Sequence, residues 1–167
     1  MKENAAPSGS WSTEGPVQAE VFVLRLHAGA LEMVGPCGPQ PWYIEVATEQ
    51  DPVEVVSRLT QTNLAPPDMV HSTSWRTARG GVVLSFVAVM PDEFDPAQPG
   101  VPVARAELAR SAATEAPGTI QAAQVIEHAL RHLAWLAEDD PVAAGTLSDG
   151  WKTLLAGYRP EPFRHLR

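Results

Sequence analysis

Cysteine is almost missing from this chain: Cys37 is the only one. No intrachain disulfide can form, which fits a reducing compartment. Cys37 stands in GPCGPQP, where no neighbouring base or cation would activate a thiol, so it reads as a loop residue. Positive charge is scarce as well, with 12 Lys and Arg against 20 Asp and Glu and a formal net charge of -8. That balance argues against polymeric nucleic acid or an anionic membrane as a partner, although a local basic pocket fits within it. There is no long apolar run and no signal-peptide core at the N-terminus, so the expectation is a soluble cytoplasmic protein. The nucleophile elbow G-x-S-x-G, the P-loop and the G-x-G-x-x-G fingerprint are all absent.

What the chain does have is 44% hydrophobic residues over 167 positions, enough for one domain with a sizeable core. The strongest signal is HSTSWRTARGGVVLSFVAVMP, from His71 to Pro91. Val82 to Met90 is apolar except for Ser85, and it is bounded by Gly80-Gly81 and Pro91. That pattern predicts a strand covered on both faces. His71 to Thr77 predicts a more polar partner strand, with Arg79-Gly80-Gly81 as the hairpin turn. Strict alternation puts His71, Thr73 and Trp75 on one face, and Ser72, Ser74 and Arg76 on the other. The second face offers two hydroxyls and a guanidinium, a set suited to phosphate or carboxylate. His71, Ser72, Ser74, Trp75 and Arg76 are therefore the candidate ligand-binding residues. The competing structural reading makes Trp75 a core residue and pairs Arg76 with an acidic neighbour.

Residues 1–18 are small, polar and broken by Pro and Gly, and read as a flexible tail in which Trp11 is a mobile aromatic. A single α/β domain is expected over residues 19–167. Its first strand, VFVLRLH, places Val21, Val23 and Arg25 on one face and Phe22, Leu24 and Leu26 on the other. Gly29 turns or bends it into Leu31 to Val34. Arg25 and His27 lie near the strand end, at a site or in solvent. Residues 35–41 form a loop, and Trp42 to Val46 a short strand.

Helix signals follow. Asp51 as cap, Pro52 at the first position and Glu54 in a capping box open a helix with Val53, Val56 and Leu59 or Thr60 on its apolar side. Asn63 and Pro66-Pro67 close it. Asp92 to Pro102 is a Pro-rich loop, residues 103–110 lean towards a short strand and a turn, and residues 111–119 read as loop. Ile120 to Ala137 is the longest helix. Its stripe of Ala122, Ile126, Ala129, Leu133 and Leu136 should face the sheet. Trp135 should then lie off the stripe and hold down the segment from Trp151 to Phe163. Asp140-Pro141 and Ser148 open two shorter C-terminal helices.

His128 and His132 share a helix face and could ligate zinc, but the sequence between them, HALRH, lacks the metalloprotease glutamate. His71 is the candidate for a third ligand. Glu127 is placed to pair with Arg131, four residues on.

An apolar first strand, then WYIEV before a helix, TNL at that helix's end, and VVLSFVAVMP downstream resemble a Nudix domain over roughly Glu20 to Ala137. The resemblance implies a mixed sheet sandwiched by helices, here with extra C-terminal helices. Nudix hydrolases carry G-x5-E-x7-R-E-U-x-E-E-x-G-U, with U apolar, and its glutamates hold divalent metal against a diphosphate. With Asn63-Leu64 in place of the terminal Gly-U, Val56 and Ser57 fall at Arg-Glu, and Thr60 and Gln61 at the paired glutamates. Sliding Arg58 onto the arginine puts Leu59, Thr62 and Asn63 at the acidic positions. Neither register restores a metal-binding cluster.

The leading expectation is therefore a non-catalytic Nudix-like domain that binds a small anionic or nucleotide-like ligand, with no metal and no cofactor. A second is a metal-dependent hydrolase of nucleoside diphosphate derivatives with an altered site drawn from Glu45, Glu49, Asp92, Glu93 and His71. A third is an interaction or assembly module, for instance a homodimer.

Overall fold

The computed structural model describes residues 15–78, 80–108 and 120–160. Trp11, Arg79, residues 109–119 and Phe163 lie outside them, and so does most of the proposed tail.

The sheet is built around β1 (Val17–His27), an eleven-residue strand buried from Ala19 to Arg25. Its N-terminal half pairs antiparallel with β3 (Trp42–Val46), and its C-terminal half pairs antiparallel with β2 (Ala30–Met33). Two short strands thus share one edge of a long one. Along its other edge β1 runs parallel to β5 (Gly81–Val89), which pairs antiparallel with β4 (Met69–Ala78). β6 (Val101–Pro102) adds a two-residue rung to β2. The result is a mixed open sheet of six strands with β4 at one edge. Val17 and Gln18 already belong to β1, so the ordered sheet starts inside the stretch expected to be tail.

The expected first hairpin forms, with His27 opposite Ala30 across a two-residue turn. In the second hairpin Ala78 lies opposite Gly81, and Gly80 has φ of 75°, the left-handed conformation the turn needs. Gly81 is required for a different reason. A β-carbon there would lie 2.1 Å from the carbonyl oxygen of Pro16, which accepts a bond from the Val82 amide.

The two faces of β1 feed two separate cores, as its alternation predicts. Ala19, Val21 and Val23 pack with Phe86, Ala88 and Met90 under α1 (Pro52–Asn63). Phe22 and Leu24 pack with Val87 and Val89 under α2 (Ala122–Asp139). Asp51 caps α1, accepting from the Val53 amide at 2.8 Å, and Pro52 sits in the first turn. The buried side of α1 is Val55, Val56 and Thr60. Val53, expected on that side, is exposed in the first turn of the helix.

On α2 the predicted stripe is buried at Ile126, Ala129 and Leu133, with Ala122 and Leu136 packed against the same core. α3 (Pro141–Thr146) and α4 (Asp149–Leu155) follow, capped by Asp140 and Ser148. The described part of the C-terminal segment is held by Trp151, Leu155 and Tyr158 in the α2 core. Trp135 lies with its ring 5.7 Å from that of His132, and its expected hold on the segment running to Phe163 falls partly on residues outside those described. Residues 103–108 form no strand, since Val103 only docks its amide on the Leu31 carbonyl.

Candidate functional site

The face pattern expected for β4 is wrong after Ser72. Ser72 lies opposite Phe86, yet Ser74 lies opposite Ser85, so Thr73 is an extra residue in a β-bulge. A bulge puts two residues against one and reverses the alternation beyond it. The Thr73 hydroxyl donates to the Ser85 carbonyl at 3.2 Å, which fixes the bulge. As a result His71, Ser74 and Arg76 share the α2 face, while Ser72 and Trp75 share the α1 face. The trio of Ser72, Ser74 and Arg76 is never assembled. Trp75 is not core either: it is 70% exposed, on an edge strand.

The bulge delivers Arg76 to Glu20, which is only 2% exposed in the middle of β1. The guanidinium grips the carboxylate with two donors, Nη1 to Oε1 and Nη2 to Oε2, the latter at 2.7 Å. Ser85 Oγ donates to Glu20 Oε1 at 2.6 Å and accepts from Arg76 Nη1 at 3.3 Å. The bond to Glu20 outweighs partial burial and raises the arginine's pKa. The structural reading of Arg76 is thus the observed one. Glu20 and Ser85 were not among the sequence candidates. The signal for them was an acid and a hydroxyl, each alone in an apolar strand, where each needs a partner.

A second buried carboxylate ties the C-terminal region together. Glu127 accepts from Arg105 Nε and Nη2 at 3.0 and 3.1 Å and from Arg131 Nε at 3.0 Å. Arg105 also donates to the Gly157 carbonyl and lies 3.8 Å from the centre of the Tyr158 ring. Burial pushes the Glu127 carboxyl up, but the bonds from Arg105 and Arg131 hold it below the ordinary range. Arg25, expected near a site or in solvent, is buried. It is paired across the hairpin with Glu32 at 2.8 Å and reaches the Phe94 carbonyl and Asp95.

His71 meets His132, its Nε2 lying 2.8 Å from His132 Nδ1. Burial first, and the field of His132 second, lower the His71 pKa to about 4. His128 stacks on His132 with ring centres 6.2 Å apart. Three imidazoles therefore gather where β4 meets α2, as the sequence left open. Even so, no three described His, Cys, Asp or Glu side chains form a group that could hold a metal ion.

The divalent metal implied by the Nudix resemblance does not fit the residues present. Thr60, at one of the positions that would need a glutamate, turns into the core and bonds the Val56 and Ser57 carbonyls. Asp92, another acid of the altered-site reading, instead accepts from Ser148 Oγ at 3.0 Å. Asp92 and Glu93 do lie close enough to Asp68 that, after burial, their fields raise its pKa.

A cleft of about 260 Å³ opens at the C-terminal end of α1. Trp42 and Phe94 supply aromatic surface, and Asn63, Asp95 and Gln98 supply polar groups. Trp42 is fixed there by its indole N–H, which donates to the Val34 carbonyl at 3.0 Å. No lysine or arginine is among its lining residues. Among the described residues no helix is long and apolar enough to cross a membrane. No family model matches the chain, and no curated protein matches it.

Proposed function

We propose that the protein is a binding domain with a Nudix-like layout, without Nudix catalysis, whose ligand seat is the cleft at the end of α1. The ligand class is a small planar heterocycle of the nucleobase or nucleoside kind. The observation that carries this reading is the cleft's lining: two aromatic side chains beside two amides and a carboxylate, the last already facing Arg25 at 3.6 Å. Concave, largely apolar sites with a few polar groups are where small molecules bind. Aromatic walls favour a flat ring, and amides match the donor and acceptor edge of a base. The reading moves the ligand away from the His71 to Arg76 face. There the one guanidinium suited to an anion is engaged by Glu20. Binding is favoured over hydrolysis because α1 carries Glu54 as its only carboxylate.

The test is titration with nucleobases, nucleosides and the matching nucleotides, followed by thermal shift and tryptophan fluorescence. Nucleosides should raise the melting temperature, and adding phosphates should not improve binding. Trp42→Ala should abolish the effect, whereas Arg76→Lys should leave it in place. A ligand that binds only when phosphorylated, or that ignores Trp42→Ala, would overturn the assignment. So would an unchanged melting temperature with every member of the series.

A further inference from the structure

The seam between β4 and α2 joins two residues 61 positions apart through one contact between ring nitrogens. His71 reaches up from the edge strand opposite Val87, and His132 reaches down from the helix. Their rings are 5.0 Å apart and tilted by 34°. Two nitrogens at 2.8 Å must share a proton, since one ring has to donate and the other accept. With no proton beyond the neutral pair the contact is an ordinary hydrogen bond. With one extra proton it becomes charge-assisted and stronger. With two, both nitrogens carry N–H groups, no acceptor is left, and two cations face each other. The spacing also suits neighbouring ligands of a transition metal, but the described residues supply no third donor to complete such a site.

We propose that the His71–His132 contact is a proton-counting latch, holding α2 against the edge strand while the pair carries at most one extra proton and releasing that side of the helix when the second arrives. The surroundings favour this pair as the trigger. On α2, Glu127 is bonded to Arg131 and Arg105, and His128 stacks on His132. On the sheet, Arg76 is engaged by Glu20. Among the described groups only the field of His132 adds to burial in holding the His71 pKa down. The pair titrates as a unit, so the release belongs to its second step. Release would uncover the apolar strip of Met69, Val87 and Val89 that the helix packs against. This inference is independent of the cleft and of any ligand there.

Imidazole proton shifts of the whole protein, followed by NMR from pH 8 to 4, test the first half. The His71 ring should stay neutral well below pH 6, and a midpoint near the ordinary 6.5 would overturn the latch. Amide hydrogen exchange along α2 tests the second half. Wild-type protection should fall by about ten- to a hundredfold between pH 6.5 and 4, after correction for intrinsic rates. His71→Gln can still hydrogen-bond but cannot charge, and should lose most of that dependence. Equal dependence in both proteins would overturn the proposal. If the variant does not fold, the wild-type His71 midpoint decides the matter by the same criterion.

Discussion

At the scale of single residues, the most consequential group is Glu20. A carboxylate 2% exposed in a sheet is tolerable only with its charge matched and its lone pairs occupied, and Arg76 and Ser85 do both. Removing one partner should therefore cost more than removing both. Arg76→Ala is expected to destabilise by about 3 kcal/mol, the low end for a broken buried pair because the arginine itself is partly solvated. Glu20→Leu combined with Arg76→Met should cost clearly less than the single change, since apolar groups of similar size leave no buried charge. Urea unfolding of wild type, single and double variants measures this. A double variant less stable than Arg76→Ala would refute the account. Sequence reading identified Arg76 as important and offered the acidic pairing as one of two explanations. It had no means of choosing Glu20, 56 positions away, over other acids.

At the scale of elements, the bulge at Thr73 decides what β4 presents. A period of two was the right rule for β1, whose two faces separate into two cores without a break. The same rule failed in β4 because one inserted residue exchanges the faces beyond it. Removing Thr73 should turn the strand into a regular one while keeping His71 over Val87 and Arg76 beside Glu20. Removing Trp75 should rotate Arg76 to the α1 face and strand Glu20. The expected outcome is that the Thr73 deletion folds with a modest loss in melting temperature, whereas the Trp75 deletion is far less stable. Circular dichroism melts of the two deletions compare them directly. Equal losses would mean that the bulge does not set the register. The long helix was legible because its stripe repeats over about four turns, and a cap followed by Pro marked the starts of α1 and α3.

At the scale of the whole molecule, acid should loosen the structure in two ranges. Glu127 has a lowered pKa in the folded chain, so the stability it contributes is present above the unfolded value of 4.5 and is lost as pH falls through the folded value. His71 works on the other side. It is held neutral in the fold and charges in the unfolded chain below 6.5, so its penalty grows as pH falls from there to about 4. Stability against pH should begin to drop below 6.5 and steepen below 4.5. Arg105→Ala is expected to cost about 1–2 kcal/mol at pH 7, less than a fully buried break because Arg131 still bonds Glu127 and Arg105 is half exposed. It should also flatten the fall below 4.5 while leaving the upper range unchanged. Chemical denaturation at a series of pH values, on wild type and this variant, checks both ranges. An unaltered slope below 4.5 would remove Glu127 from the account.

By itself the sequence determined most of the elements: an apolar β1 with two faces, a capped α1, a striped α2, and a hairpin closed by Gly80-Gly81. It did so because those signals come from residues within a turn or two of each other, where backbone propensity and side-chain period act directly. Only the tertiary structure decided that β1 carries β2 and β3 on one edge and runs parallel to β5 on the other, that Thr73 bulges, and that Glu20 takes Arg76. The meeting of His71 with His132, and of Trp42 with Phe94 around one cleft, was decided there too. Each of these joins residues far apart in the chain, and their energy depends on register and on which buried charge lies within reach. Those quantities have no value until the sheet is assembled.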